Sequence, residues 1–256
     1  MADVLAEIGG VKLTIRTAGI VTAVLVLILF TFLRIAMNKK TAAETRTVMR
    51  WLDGIGFGLL PAVAVWKIFE CGYAGIGREV IEPLPLIPGL TENGRFVPGS
   101  IEAAAALLCF IGICIWLIIR KEEMAETGDL LIVSLCLWSG IRIVTESFRE
   151  TPDNVFRYAY CAVILVCLGI WTALQLHQTH AKQRIAGNWI AAILCTAMIV
   201  LTASGTLSVG SAIGDLAVIL GCAVLMVLLT LLCGSDSRQW GAFRSPPHTP
   251  FGRKLI

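Results

Sequence analysis

Charge is what this sequence has least of. Asp, Glu, Lys and Arg make up 15% of its 256 residues, against 57% hydrophobic residues. A soluble domain is roughly a quarter charged, so a soluble globular fold does not fit. Short segments of alternating apolar and polar residues are missing, which argues against a transmembrane barrel. There is no basic stripe interleaved with aromatics, and a net charge of +3 is too small to point to nucleic acid. Among nine cysteines there is no CxxC pair. Cys109, Cys114, Cys136, Cys161, Cys167, Cys195 and Cys222 lie inside apolar runs, and Cys71 and Cys233 near run ends. Such thiols behave as small hydrophobes, so neither a disulfide framework nor a metal site is expected, and no cofactor. No histidine precedes His177, and no internal repeat is visible.

What the chain does have is long apolar runs. A spanning helix needs about 20 predominantly apolar residues, and backbone polar groups in hydrocarbon must be paired internally, so these runs are helices. Seven qualify: Ala18–Met37, Gly54–Cys71, Gly99–Arg120, Gly128–Phe148, Phe156–Leu176, Ala186–Leu207 and Ser211–Cys233. The second is short and carries Lys67, which leaves a re-entrant segment open. The first is followed by basic residues with no small-residue cleavage site, so it reads as a retained helix. The fold expected is an all-α, polytopic transmembrane bundle over residues 1–233, with a disordered tail at 234–256 that contains Pro246, Pro247 and Pro250.

The sparse charges set the orientation. Thirteen Lys and Arg fall on one side of the alternation, among them Arg34, Lys39, Lys40, Arg46, Arg120, Lys121, Lys182 and Arg184. Six fall on the other: Lys12, Arg16, Arg78, Arg95, Arg149 and Arg157. The richer side is the cytoplasm, which places the N-terminus outside and the tail, with His177, His180 and His248, inside. Outside lies the long connection Gly72–Pro98. Its Glu82-Pro83-Leu84-Pro85-Leu86-Ile87-Pro88-Gly89 stretch cannot be regular helix, and Asn93-Gly94 marks a turn. This loop reads either as a lid over a site or as a plain connector.

The most informative stretch is Ser139 to Arg149. Arg142, Glu146 and Arg149 follow at spacings of four and three, which stacks them on one helix face. At 1.5 Å per residue, Arg142 lies roughly 20 Å into its helix, inside hydrocarbon. A guanidinium there costs a few kcal/mol or more unless it meets a polar partner or water. One reading is structural, with Arg142 snorkelling to headgroup level beside Glu146. The other is functional: Lys67, Glu70, Glu102 and Asp215 fall on the same side, which suggests an outward-opening polar cavity. Two arginines beside an acid suit a lipid phosphate, which guanidinium grips as a bidentate fork.

At these residues the chain resembles the prolipoprotein diacylglyceryl transferase family. That family's late helix runs Arg, three residues, Glu, two residues, Arg, then Pro-Asp. Here Arg142, Glu146 and Arg149 are followed by Pro152-Asp153. Upstream, the stretch from Arg95 through Pro98 to Glu102 and the run from Trp51-Leu52-Asp53 to Ile76-Gly77-Arg78 are similar as well, so the resemblance covers about residues 50 to 155. Where the family has Gly-Arg-x-Gly-Asn-Phe-x-Asn-Gly, this chain has Ala74 to Glu82 with Arg78 displaced and no asparagine. Three helices follow the arginine helix where the family usually has one.

The resemblance implies a membrane transferase in the bacterial cytoplasmic membrane. It would move a diacylglyceryl group from phosphatidylglycerol to the lipobox cysteine of a prolipoprotein. It implies catalytic roles for Arg142, Glu146, Arg149 and Glu102, and lipid-phosphate binding by Arg142, Arg149, Arg78 and Lys67, with Glu102 or Glu70 taking the thiol proton. The altered central signature supports an alternative, a non-catalytic relative that holds an anionic lipid or a partner protein in the same cavity. A small-solute transporter would show broken midplane helices and paired half-repeats, and the sequence shows neither.

Overall fold

A computed structural model describes residues 4–8, 11–37, 47–71, 77–81, 84, 87–119, 129–175 and 182–239. Seven helices dominate it: α1 (Ile15–Met37), α2 (Thr47–Glu70), α3 (Pro98–Ile119), α4 (Asp129–Thr145), α5 (Asn154–Gln175), α6 (Lys182–Ala203) and α7 (Ala212–Gln239). Each is long and apolar enough to cross a membrane, with α4 counted together with the turn that follows it. The protein is therefore an all-α bundle of transmembrane helices, as its apolar runs require.

The boundaries correct the sequence reading in three places. The second run is a 24-residue helix that begins at Thr47 rather than Gly54 and contains Pro61, so it is not short but long and apolar enough to cross a membrane. Helix α7 does not stop at Cys233 but continues to Gln239, because nothing before Pro246 removes a backbone donor. A β-hairpin, β1 (Val4–Ile8) paired antiparallel with β2 (Val11–Thr14), precedes α1; its nine strand residues are too few to register among long apolar runs. The connections 38–46, 120–128 and 176–181, which hold much of the basic charge and both His177 and His180, lie outside the described residues. So do 72–76, 82–83 and 85–86 of the long loop, and 240–256 with His248.

Local signals set several helix ends. Pro98 opens α3, where its missing N–H deprives the helix of nothing. The Asp153 carboxylate accepts from Val155 N at 2.9 Å at the start of α5, and Ser211 Oγ accepts from Gly214 N at 3.0 Å at the start of α7. In the long loop, β3 (Thr91–Glu92) pairs with β4 (Arg95–Phe96) across Asn93-Gly94. Asn93 and Gly94 have φ of 50° and 75°, the left-handed pair that a two-residue hairpin turn demands.

Packing is not a simple walk from neighbour to neighbour. Helix α2 packs on α1, α3 and α4, and α4 packs on α2, α3, α5 and α7. The α2–α4 crossing is close: a Cβ on Gly56 would come within 2.2 Å of Leu131 N. Two polar contacts fix it, Ser134 Oγ donating to Gly56 O at 2.6 Å and Leu130 N donating to Asp53 at 3.2 Å. Phe57, Leu60, Leu130, Val133 and Trp171 fill the core on this side, and Ile143, Ile164, Ile199 and Met226 fill it between α4, α5, α6 and α7. Helix α4 is the most enclosed helix of the bundle, which decides where its arginine must find partners.

Candidate functional site

Six charged side chains meet at the end of the bundle that carries the β3–β4 hairpin. Helix α2 contributes Lys67 and Glu70 from its last turn, α3 contributes Glu102 from its first turns, and α4 contributes Arg142. Beyond Thr145, α4 tightens into one 3-10 turn, Glu146–Phe148, and Arg149 follows in extended conformation. Glu102 is at the centre. Arg142 donates to it from one side, Arg149 Nη2 lies 3.3 Å from the same oxygen, and Thr145 Oγ1 donates to it at 3.2 Å. Its second oxygen lies 2.8 Å from Lys67 Nζ, an ion pair not aligned as a hydrogen bond.

The second acid, Glu146, closes the other half. Its Oε2 accepts from Arg142 Nη2 at 3.0 Å and lies 3.2 Å from Arg149 Nε, and its Oε1 accepts from Asp153 N at 3.1 Å. The Arg142 guanidinium also sits 5.5 Å from the centre of the Tyr160 ring on α5. Glu70 pairs with Lys67 and lies 4.0 Å from Arg149. Three cations, Lys67, Arg142 and Arg149, thus face three carboxylates, Glu70, Glu102 and Glu146, and their formal charges cancel. A charge left unpaired within a membrane is costly, least so near a helix end, and the mutual pairing of these six groups offsets that cost.

Burial falls off in one direction. The Glu102 side chain is 0% exposed and that of Arg142 7%, whereas Glu70 is 14% exposed and Arg149 28%. Arg149 is the cation of the cluster that an incoming group reaches first, and Glu70 the acid. Arg142 is enclosed, with both terminal nitrogens committed to carboxylates.

Of the residues singled out in the sequence, Arg142, Glu146, Arg149, Glu102, Lys67 and Glu70 therefore come together. Arg78 joins from the side: its Nη1 donates to Ser147 O at 3.4 Å and its backbone N to Phe148 O at 3.1 Å. Gly77 lets it do so, since a Cβ there would fall 2.3 Å from Phe148 O. Segment 77–80 also hydrogen-bonds to Phe96 and Gly94 of the hairpin, and Phe96 packs on Phe148 with ring centres 4.7 Å apart. Asp215 is not part of the cluster; from the first turn of α7 it accepts from Val209 N and Ser208 Oγ of the preceding loop at 2.8 and 3.2 Å.

Sequence reasoning missed the contributions of α5. Arg157 is buried, and its guanidinium donates to Ile143 O, Ser147 Oγ and Asn154 Oδ1 at 3.3, 3.0 and 3.1 Å. A signal was present, an arginine at the second position of the fifth apolar run, but counting it as an interfacial charge hid it. All nine cysteines are free, and among the described residues no group of His, Cys, Asp or Glu is placed to hold a metal ion. No known protein family, curated protein or solved structure matches this chain.

Proposed function

We propose that this protein handles the phosphate headgroup of an anionic phospholipid at the hairpin end of the bundle, facing outward. In the fuller form of the reading, it transfers the diacylglyceryl group of phosphatidylglycerol to a prolipoprotein cysteine in a bacterial cytoplasmic membrane. The observation that carries the reading is the graded cluster. Buried ions in a membrane protein mark functional sites by default, and here the least buried cation, Arg149, stands at the mouth with Arg78 beside the same turn.

In this mechanism Arg149 engages the lipid phosphate, and Arg142, aligned by Glu102 and Glu146, supplies fixed positive charge behind it. The acceptor cysteine must react as thiolate. Glu70 takes its proton, because Glu102 is enclosed by Lys67, Arg142 and Arg149 and no incoming thiol reaches it. The sulfur forms a bond to the diacylglyceryl carbon that carries the phosphate ester, and that carbon–oxygen bond breaks. The electron pair leaves on glycerol phosphate, whose added charge the arginines stabilise.

One observation favours a second reading. Every cation of the cluster already has a carboxylate partner, so a lipid phosphate competes with Glu70, Glu102 and Glu146 for Arg149. That is suited to a non-catalytic relative that binds and releases an anionic lipid. Both readings are separated by one experiment: lipidation of a lipobox substrate in bacterial membranes depleted of their own transferase, with wild type, Arg142→Ala and Arg149→Ala. A diacylglyceryl adduct, seen by mass spectrometry with the wild type and lost in both variants, is the transferase result. Lipid retention that depends on Arg149, without any adduct, is the binder result. Neither adduct nor Arg149-dependent lipid defeats the proposal in both forms.

A further inference from the structure

The turn that carries Glu146 and Arg149 is held in part by Arg157, a residue outside the resembling region. Where α4 ends, its last carbonyls lose their intrahelical partners. Ile143 O accepts from Arg157 Nε, and Ser147 O from Arg78 Nη1. Arg157 also reaches across the turn to Ser147 Oγ and is anchored on its own helix by Asn154 Oδ1. The same guanidinium therefore joins the last full turn of α4, the middle of the 3-10 turn and the first turn of α5. Glu146 directly precedes the residue it grips, and Arg149 follows that residue by two positions. Glu146 Oε1 in turn accepts from Asp153 N, which closes a loop from α4 through the turn to the start of α5.

We infer that Arg157 is a positioning residue for the lipid-phosphate site, setting the placement of Glu146 and Arg149 through the turn between them. A planar guanidinium is the group suited to this, because it presents several donors in a fixed fork. A lysine in its place keeps the charge but offers one point of attachment, and it cannot span three acceptors on three segments. Arg157 is buried with no carboxylate among its hydrogen-bond partners in the described residues, which distinguishes it from the ion-paired cluster: its hydrogen bonds go to two carbonyl groups, one of them a side-chain amide, and a hydroxyl. The bracket also gives α5 a part in the site, although α5 lies almost wholly beyond the part of the chain that carries the family resemblance.

The inference rests on the anionic-lipid reading for its functional half and on geometry for the rest, so the experiment has two arms. Full-length wild type, Arg157→Lys and Ser147→Ala are purified in detergent, with Arg149→Ala alongside. In the first arm, hydrogen–deuterium exchange is followed by mass spectrometry. Peptides covering residues 146–153 are expected to exchange at least tenfold faster in Arg157→Lys, and less markedly faster in Ser147→Ala, with α2 and α3 peptides unchanged. Unchanged exchange at 146–153, or a uniform rise across all helices, overturns the inference, the latter because it reports general loosening. In the second arm, phosphatidylglycerol and phosphatidylcholine are titrated separately and bound lipid is counted by native mass spectrometry. Arg157→Lys is expected to weaken phosphatidylglycerol at least fivefold and to leave phosphatidylcholine unchanged. If Arg149→Ala loses phosphatidylglycerol and Arg157→Lys does not, positioning is refuted while the lipid reading stands. If Arg149→Ala also binds as wild type, the lipid reading falls and the positioning assignment falls with it.

Discussion

Lys67 Nζ on α2 lies 2.8 Å from Glu102 Oε2 on α3, and both side chains are almost wholly enclosed. The pair joins two helices across apolar surroundings, and Glu102 then passes the connection to Arg142 on α4. Helices α2, α3 and α4 are thus tied at the hairpin end by one carboxylate.

This arrangement predicts strong coupling between the two residues. Removing one partner of a buried pair leaves an uncompensated charge and costs about 3–5 kcal/mol. Lys67→Met and Glu102→Gln should each lower the thermal unfolding temperature in detergent substantially. The double variant should be less damaged than the sum of the two by about 1 kcal/mol or more, as residues in one ion-pair network are. Additive losses would show that the contact carries no coupling.

Arg149→Lys should be far from neutral. A lysine keeps the charge but loses the fork that contacts Glu102 and Glu146 together and that would grip a phosphate bidentately. On the proposed function, lipidation or phosphatidylglycerol retention should fall at least tenfold, with the unfolding temperature little changed because the side chain is partly exposed. Wild-type function in this variant would mean that charge alone is used.

Glycine substitutions should divide by the space around them. Gly56→Ala places a Cβ 2.2 Å from Leu131 N, in the backbone of the packed partner, and Gly77→Ala places one 2.3 Å from Phe148 O. The first should prevent stable assembly of α2 on α4, read as loss of folded protein on size-exclusion chromatography. The second should leave the bundle folded and impair the turn that carries Arg149. Gly112→Ala and Gly221→Ala meet nothing within 4 Å and should be tolerated. A helix gains roughly 0.5–1 kcal/mol from such a change in water.

Orientation is open to a direct measurement. Glu92, exposed on the β3–β4 hairpin, can be replaced by cysteine and treated in intact cells with a membrane-impermeant maleimide. The charge asymmetry predicts labelling from outside without permeabilisation. Labelling only after the membrane is opened would invert the topology and remove the outward-facing site.

The arginine stretch shows both how far the sequence reaches and where it stops. Helical spacing alone brings Arg142 and Glu146 together, because residues four apart share a face, and the pair is present at 3.0 Å. Glu102 and Lys67 could be placed only at the same end of the bundle, since which helices touch is not written in any one run. The hairpin turn was legible because Asn-Gly has a local cause. The bracket by Arg157 was not, for it depends on where the fifth helix leans against the end of the fourth.

What the sequence determined by itself is the number and kind of the spanning elements. Seven apolar runs in a chain so short of charge can satisfy their backbones only as helices, and that requirement is local to each run. What the tertiary structure decided is that α4 sits between α2, α3, α5 and α7, so that its arginine meets two acids while Arg149 stays at the edge. The physical reason is that a buried charge must find its partner in space, and the partner's distance along the chain, 40 residues from Arg142 to Glu102, carries no trace of the contact.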